Sequence, residues 1–142
     1  MTGKLTAKKV SLYLAKLNRV IEVELFISVA SDCELKIKIE GLEHVAIGKD
    51  FINCLNDLRE HILEPEEAFL MINACRKDFL SSRMARQMSN GLSGYLLEKG
   101  KQARMADLVS SLDFAEVGLL TTVNLQRQFH NEWIESFRNR QC

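Results

Sequence analysis

Alternation of apolar and polar residues between positions 21 and 40 constrains the fold more than any other feature of the chain. Every second residue from Ile21 to Val29 is isoleucine, valine or leucine, and glutamate or serine fills most positions between them. After a short segment at 30–33, the same alternation runs from Leu35 to Ile39 between charged residues. A side-chain period of two belongs to strands with one buried face. The sequence therefore predicts an antiparallel hairpin that exposes its other face to water.

Two other stretches show the period of a helix. The first is apolar at steps of three and four and should end near Pro65, because the residue before proline disfavours helical geometry. Its apolar positions are Phe51, Leu55, Leu58 and Ile62. The second should begin near Thr121 or Thr122, either of which can cap it. Its stripe is Leu125, Phe129, Trp133 and Phe137. We expect this stripe to lie in the core, with Trp133 largely buried.

The remaining segments are less regular. Residues 6–17 fit both a strand and a helix, and their alanines and lysines favour the helix. Residues 41–48 are interpreted as a connection bracketed by glycines. Apolar runs at 68–72 and 95–97 predict two strands, the first covered on both faces. Residues 103–112 predict a short helix, and residues 113–120 are expected to be irregular.

This order of elements predicts an α+β fold, a mostly antiparallel sheet of about four strands with helices packed on one face. The 142 residues, 46% of them hydrophobic and 27% charged, suit a single globular domain over residues 1–142. Residues 1–19 could form a peripheral helix or strand. No apolar run reaches the ~20 residues that span a bilayer, and the first residues do not resemble a signal peptide. We therefore expect a cytoplasmic protein without a membrane partner.

Motifs of catalysis and of metal binding are missing from the sequence. The four cysteines are too far apart to form the close pairs of a zinc site, and they predict reduced thiols. The three histidines fall in three different predicted elements, and no phosphate-binding, dinucleotide-binding or hydrolase motif is present. We expect no metal, no cofactor and no enzymatic activity.

Charge is segregated along the chain although the formal net charge is zero. Residues 1–19 carry a net charge of +5, residues 20–70 carry −8 and residues 71–142 carry +3. Such blocks can create opposed surface potentials that steer a partner. They can equally be solvated faces without a binding role.

The most distinctive candidate site is a cationic loop, residues 76–88, between the two predicted strands at 68–72 and 95–97. Arginine can bind carboxylates or phosphates through two hydrogen bonds, and methionine adapts to the shape of a partner. The candidate partner-binding residues are Arg76, Arg83, Met84, Arg86 and Gln87. Alternatively, Met84 and Met88 pack inward from a short helical turn, while the arginines pair with the acidic middle of the chain.

A resemblance to a known family enters at this loop. The chain has Leu58-Arg59 and Leu63-Glu64 at the end of the first helix, then Arg76-Lys77-Asp78. It continues with an S-x-M-x-R-x-M pattern at residues 82–88 and A-R-x-x-D-L-V at residues 103–109. These motifs resemble a family of small, uncharacterised bacterial proteins. The chain departs from the pattern at Ala74, where a glycine is expected, and at residues 81–83, where Pro-Ser-Gly is expected.

By class, proteins of this kind resemble the immunity proteins of contact-dependent growth inhibition. The resemblance implies a non-enzymatic protein that binds a cognate toxin domain and occludes its active site. The toxins of such systems are often nucleases with basic clefts, which the acidic segment would complement. We add Glu34, Glu40 and Glu43 to the candidate partner-binding residues for that reason. The alternative is a nucleic-acid- or phosphate-binding regulator, which the zero net charge disfavours. We predict no nucleic-acid partner.

Overall fold

The computed structural model describes residues 4–138, and they form an α+β fold with two antiparallel sheets and three α-helices. The elements in chain order are β1 (Lys4–Leu14), β2 (Arg19–Val29), β3 (Cys33–Ile39), β4 (Leu42–Gly48), α1 (Phe51–Leu58), β5 (Ala68–Leu70), β6 (Phe79–Leu80), α2 (Arg83–Ser89), β7 (Ser93–Leu96), β8 (Leu108–Ser110) and α3 (Val123–Arg138). The first sheet has five strands in the order β4-β3-β2-β1-β5, and the second has three in the order β6-β7-β8.

The predicted antiparallel hairpin is confirmed as β2 and β3, which pair with Leu25 opposite Ile37. Their central alternating apolar residues are buried, the outermost ones (Ile21, Val29 and Ile39) are partly buried, and the residues between them are not buried. The prediction of about four strands is too low. Two strands of the larger sheet, β1 and β4, fall in segments for which the sequence favours a helix and a connection.

The first of these is β1, where a helix was favoured over residues 6–17. Strand β1 instead pairs with β2 along its whole length, from Lys4 opposite Val29 to Leu14 opposite Arg19. Val10 and Leu12 face the core and are 7% and 0% exposed. The helical preference of alanine and lysine is a weak term, and eleven residues of cross-strand pairing outweigh it.

The second is β4, which replaces the predicted connection at 41–48. Glu40 and Gly41 have φ values of +49° and +86°. Positive φ at both central residues belongs to a two-residue hairpin turn whose twist matches that of the flanking strands. The chain therefore returns directly alongside β3, with Leu42 opposite Ile39.

Helix α1 is confirmed, and it covers one face of the larger sheet. Its buried residues are Phe51, Cys54, Leu55 and Leu58. Asp50 caps its start by accepting a hydrogen bond from the N–H of Asn53 at 2.8 Å. A wider turn at Arg59–Leu63 and a tighter one at Glu64–Glu66 extend the helical path, which ends near Pro65 as predicted, at the left-handed Glu67.

The C-terminal half departs more from the sequence predictions. The strand predicted at 68–72 is confirmed in part as β5, which pairs with the end of β1. The helix predicted at 103–112 is wrong. A single tight turn at Met105–Asp107 is followed by β8, which pairs with β7. The carboxylate of Asp107 accepts the N–H of Arg104 at the start of that turn, but Leu108 is already extended, with φ −76° and ψ 128°, so the turn does not continue as a helix.

Helix α3 begins where predicted, but its orientation differs from the prediction. Leu125 is 49% exposed, and Phe129, Trp133 and Phe137 are partly buried but lie outside the core, so the prediction of a core stripe is wrong. Val123 is buried instead, and the Gln126 amide donates to the carbonyl oxygens of Ala74 and Arg76 at 2.8 and 2.7 Å. These buried carbonyl groups need donors, and a polar side chain therefore takes the inward position.

Candidate partner-binding surface

The five-stranded sheet has one face covered by α1 and one open face, which we call the outer face. Because side chains alternate along a strand, the outer face carries the residues between the buried ones. Its central members are Leu5, Lys9, Glu24, Phe26, Ser28, Glu34, Lys36, Lys38, Glu43, Val45 and Ile47. None of them belongs to the buried class.

Charges on the outer face alternate in sign across four strands. Lys9 lies opposite Glu24, Glu24 lies opposite Lys38, and Lys38 lies opposite Glu43. Opposite charges in directly facing positions stabilise a pair of strands. The outer face therefore carries charges of both signs, interleaved from β1 to β4.

Beside this charged row lies an apolar area. Leu5 and Ile47 are each 67% exposed and Val45 is 49% exposed, so these side chains are largely in water. Ser28 and Glu34 lie between Leu5 and Ile47 across the strands, and a shallow depression of about 360 Å³ opens there. It is lined by Leu5, Phe26, Ser28, Glu34, Lys36, Lys38 and Glu43. Apolar and charged side chains are therefore interleaved at this depression, and both kinds of group take part in protein-binding surfaces.

Two of the three acidic candidates meet at this depression. Glu34 and Glu43 both line it, and Glu34 also lies 3.6 Å from the ammonium group of Lys36. Glu40 lies in the exposed turn between β3 and β4, at the end of the same hairpin. The alternation of residues in β3 was sufficient to place Glu34 on this face. Placing Glu43 required β4, which the sequence interpretation missed.

The structure gives two of the cationic-loop candidates partners within the protein. Arg76 forms two hydrogen bonds of 2.8 Å with the carboxylate of Asp78. Arg86 donates to both carboxylate oxygens of Asp50, at 2.7 and 3.1 Å. Bidentate pairs of this kind fix the guanidinium group in one orientation. For Arg86 this matches the alternative in which an arginine pairs with the acidic middle of the chain.

The other loop candidates lie on the surface of α2. Arg83, Met84 and Gln87 are exposed, and Met84 and Met88 are 67% and 80% exposed. The alternative in which the methionines pack inward is therefore wrong. Ser82 caps the helix through the N–H of Ala85, and this start turns Ala85 toward the interior. Helix α2 presents two methionines and one arginine to solvent, separate from the outer face.

A polar cleft between α1 and α3 was not predicted from the sequence. Its volume is about 380 Å³, and its charged and imidazole side chains are Asp57, Glu60, Arg86, Arg127 and His130. Arg127 lies 3.7 Å from Glu60 and Arg86 is paired with Asp50, so the charges largely offset one another. Apart from Arg86, these residues resemble ordinary helix-surface positions in the sequence, and no sequence motif links the two helices.

Arg59 is the buried polar residue beneath this cleft. It is only 3% exposed and donates to the Thr121 carbonyl at 2.7 Å and to the Gln126 side chain at 2.8 Å. Its Nε lies 4.0 Å from a carboxylate oxygen of Glu64, which also accepts the first N–H of α3 at 2.9 Å. Arg59 therefore joins α1 to α3 and is held entirely by internal contacts.

The described cysteines offer no activated nucleophile. Burial is the main cause that raises the pKa of the Cys54 thiol to about 12, and burial also raises the pKa of Cys33 and Cys75. A protonated thiol is a poor nucleophile and a poor metal ligand. Between residues 4 and 138, no three histidine, cysteine, aspartate or glutamate side chains are grouped closely enough to hold a metal ion.

Helices of the described region are too short or too polar to cross a membrane. Comparison of the chain with protein-family models and with curated proteins gives no significant match.

Proposed function

We propose that this protein is an immunity protein that binds a cognate bacterial toxin domain through the outer face and occludes its active site. The observation that carries the proposal is the depression on the outer face, where Leu5 and Phe26 lie among charged side chains and the exposed Val45 and Ile47 lie close by on β4. A protein that acts by occupying a partner's surface needs a contact area of this kind and no catalytic group of its own.

The partner that fits is a toxin domain with a basic cleft, as in a nuclease-type toxin. Leu5, Phe26 and Val45 supply apolar contacts, which determine how slowly a complex dissociates. Glu34, Glu40 and Glu43 lie on or beside the same face and supply the negative charge that attracts a basic partner. Long-range attraction of this kind mainly accelerates association.

Helix α2 is the rival contact surface. Exposed methionines are common at binding sites because their side chains adapt to different shapes, and arginine is enriched at the energetic centres of interfaces. Met84, Met88 and Arg83 combine both properties on one short helix. Because α2 is separate from the outer face, substitutions can test the two surfaces one at a time.

The experiment begins with the toxin candidate encoded directly upstream of this gene. Co-expression should rescue growth, and purified proteins should form a complex whose association rate falls with salt. The triple variant Glu34→Lys, Glu40→Lys and Glu43→Lys should slow association and flatten its salt dependence. A matched control reverses three acids elsewhere, Glu66, Glu67 and Glu116, with the same change in net charge.

Equal effects of the two triple variants would show that net charge alone acts and would refute the role of the outer face. Neither triple variant is expected to change the dissociation rate. An Arg83→Ala, Met84→Ala double variant that weakens binding while the acidic set does not would move the contact to α2. If no product of an adjacent gene binds this protein, or if none inhibits growth in its absence, the immunity function is refuted.

A further inference from the structure

Strand β4 ends the five-stranded sheet, and its outward side has no neighbouring strand among residues 4–138. The turn at Glu40 and Gly41 determines which of its backbone groups are free. In a two-residue hairpin the flanking residues, here Ile39 and Leu42, form a hydrogen-bonded pair, and bonded and non-bonded pairs then alternate. Residues 42, 44, 46 and 48 therefore bond to β3, whereas the N–H and C=O groups of Glu43, Val45 and Ile47 point outward.

This edge lacks the features that usually prevent strands from pairing with other chains. Its register with β3 runs without a bulge from Cys33 opposite Gly48 to Ile39 opposite Leu42, and it contains no proline. By contrast, the part of β1 that β5 leaves unpaired carries Lys8 and Lys9, and edge lysines oppose pairing. Edge β4 instead exposes apolar side chains, including Val45 and Ile47.

The edge is complementary to itself in one antiparallel register. With Ala46 opposite Ala46 of a second copy, Val45 faces Ile47 of that copy and Ile47 faces its Val45. Glu43 then faces Lys49 of the second copy, which is an exposed residue of opposite charge. Shifting the second copy by two residues in one direction places Glu43 opposite Ile47. Shifting it by two residues in the other direction places Lys49 opposite Val45. Only even shifts keep the outer faces on the same side.

We infer that this protein forms a symmetric dimer through β4, which joins two five-stranded sheets into one sheet of ten strands. The outward N–H and C=O groups of Val45 and Ile47 bond to those of Ile47 and Val45 in the second copy. Pairing uses the edge and leaves the depression on each outer face open. The inference rests on the backbone geometry of β4 and does not depend on the proposed function.

Sedimentation across a wide range of protein concentration tests the dimer. The expected mass approaches twice the 16.2 kDa of the chain as concentration rises. Val45→Lys places a lysine against Ile47 of the second copy and should reduce dimer formation at least tenfold. Val20→Lys is the matched control, since Val20 lies on β2, away from β4, and its exposure of 50% is nearly the same as the 49% of Val45.

Thermal melting of both variants near the wild-type temperature establishes that each is folded. A wild-type protein that stays monomeric at high concentration, or a dimer that both variants weaken equally, would overturn the inference.

Cross-linking tests the register. In a Cys142→Ser background, a mixture of Val45→Cys and Ile47→Cys variants should form a disulfide-linked dimer on mild oxidation, because directly opposite residues lie about 5.5 Å apart. Val45→Cys alone should cross-link at least fivefold less, since the two copies of residue 45 are diagonal neighbours about 7–8 Å apart. Efficient cross-linking of Val45→Cys alone, or none in the mixture, would refute this register.

Discussion

Asp50 both caps α1 and holds α2, and these two contributions to stability can be separated by substitution. Its Oδ1 atom accepts the N–H of Asn53 at 2.8 Å, and both of its oxygens accept from the guanidinium group of Arg86. The Asp50 side chain is 12% exposed, whereas the Arg86 side chain is 37% exposed. Asparagine caps a helix about as well as aspartate, so Asp50→Asn removes the charge and keeps the cap.

The expected magnitudes follow from these contacts. Loss of an N-cap costs about 1 kcal/mol. Two hydrogen bonds between charged groups would contribute about 3 kcal/mol if buried, but the partial exposure of Arg86 reduces the pair to about 1 kcal/mol. Asp50→Asn should therefore lower the free energy of unfolding by about 1 kcal/mol and Asp50→Ala by about 2 kcal/mol.

Urea denaturation of the single variants and of Asp50→Ala with Arg86→Ala measures the coupling between the two residues. We expect a coupling free energy of about 1 kcal/mol. Arg83→Ala on the same helix is the control and should change stability by less than about 0.5 kcal/mol, because Arg83 is exposed. Coupling near zero would refute the contribution of the ion pair. Equal losses for Asp50→Asn and Asp50→Ala would refute the contribution of the cap.

Four further predictions follow from the described contacts. Arg59→Ala should lower the free energy of unfolding by about 3–5 kcal/mol in urea denaturation, because it leaves the Thr121 carbonyl without its buried donor and Glu64 without its cationic partner. Trp133→Ala should lower it by about 1–2 kcal/mol in the same assay, less than for a core tryptophan, since Trp133 is partly exposed. Stability should fall as pH rises from about 9 toward 12, because the unfolded thiols lose protons that the folded ones keep, and Cys54→Ala should make that fall shallower. Gel retardation should detect no specific binding of DNA or RNA at physiological salt, and a retarded complex with a steep salt dependence would favour the regulatory alternative.

Periodicity in the sequence predicted the elements that bury one regular face. Strands β2 and β3 and helix α1 are of this kind, and the alternation in β3 also placed Glu34 on an open face. In β1, alanine and lysine conceal the alternation of Val10, Leu12 and Leu14. The core position of Leu12 is evident only from its pairing with β2 on one side and β5 on the other. The glycines at 41 and 48 suggest a connection between them. A glycine with positive φ also makes the tightest hairpin turn, which is what Gly41 does.

Contacts between distant segments could not be predicted from the sequence. The pairing of Asp50 with Arg86 joins residues 36 positions apart, and nothing local to either residue indicates the other. The orientation of α3 depends on which buried carbonyl groups need a donor, and Gln126 meets that need at Ala74 and Arg76. The aromatic stripe therefore gave the period of the helix correctly, but its side chains lie outside the core, partly buried.

The order of the strands in the larger sheet has a consequence for folding during synthesis. Strands β1 to β4 are consecutive in the chain and each pairs with the next, so this part of the sheet closes only short loops. It is complete in sequence at Gly48, before α1 has been made to cover its apolar face. A nascent chain paused at this length would carry an uncovered sheet with two open edges, and we expect it to depend on a chaperone until α1 and β5 emerge from the ribosome.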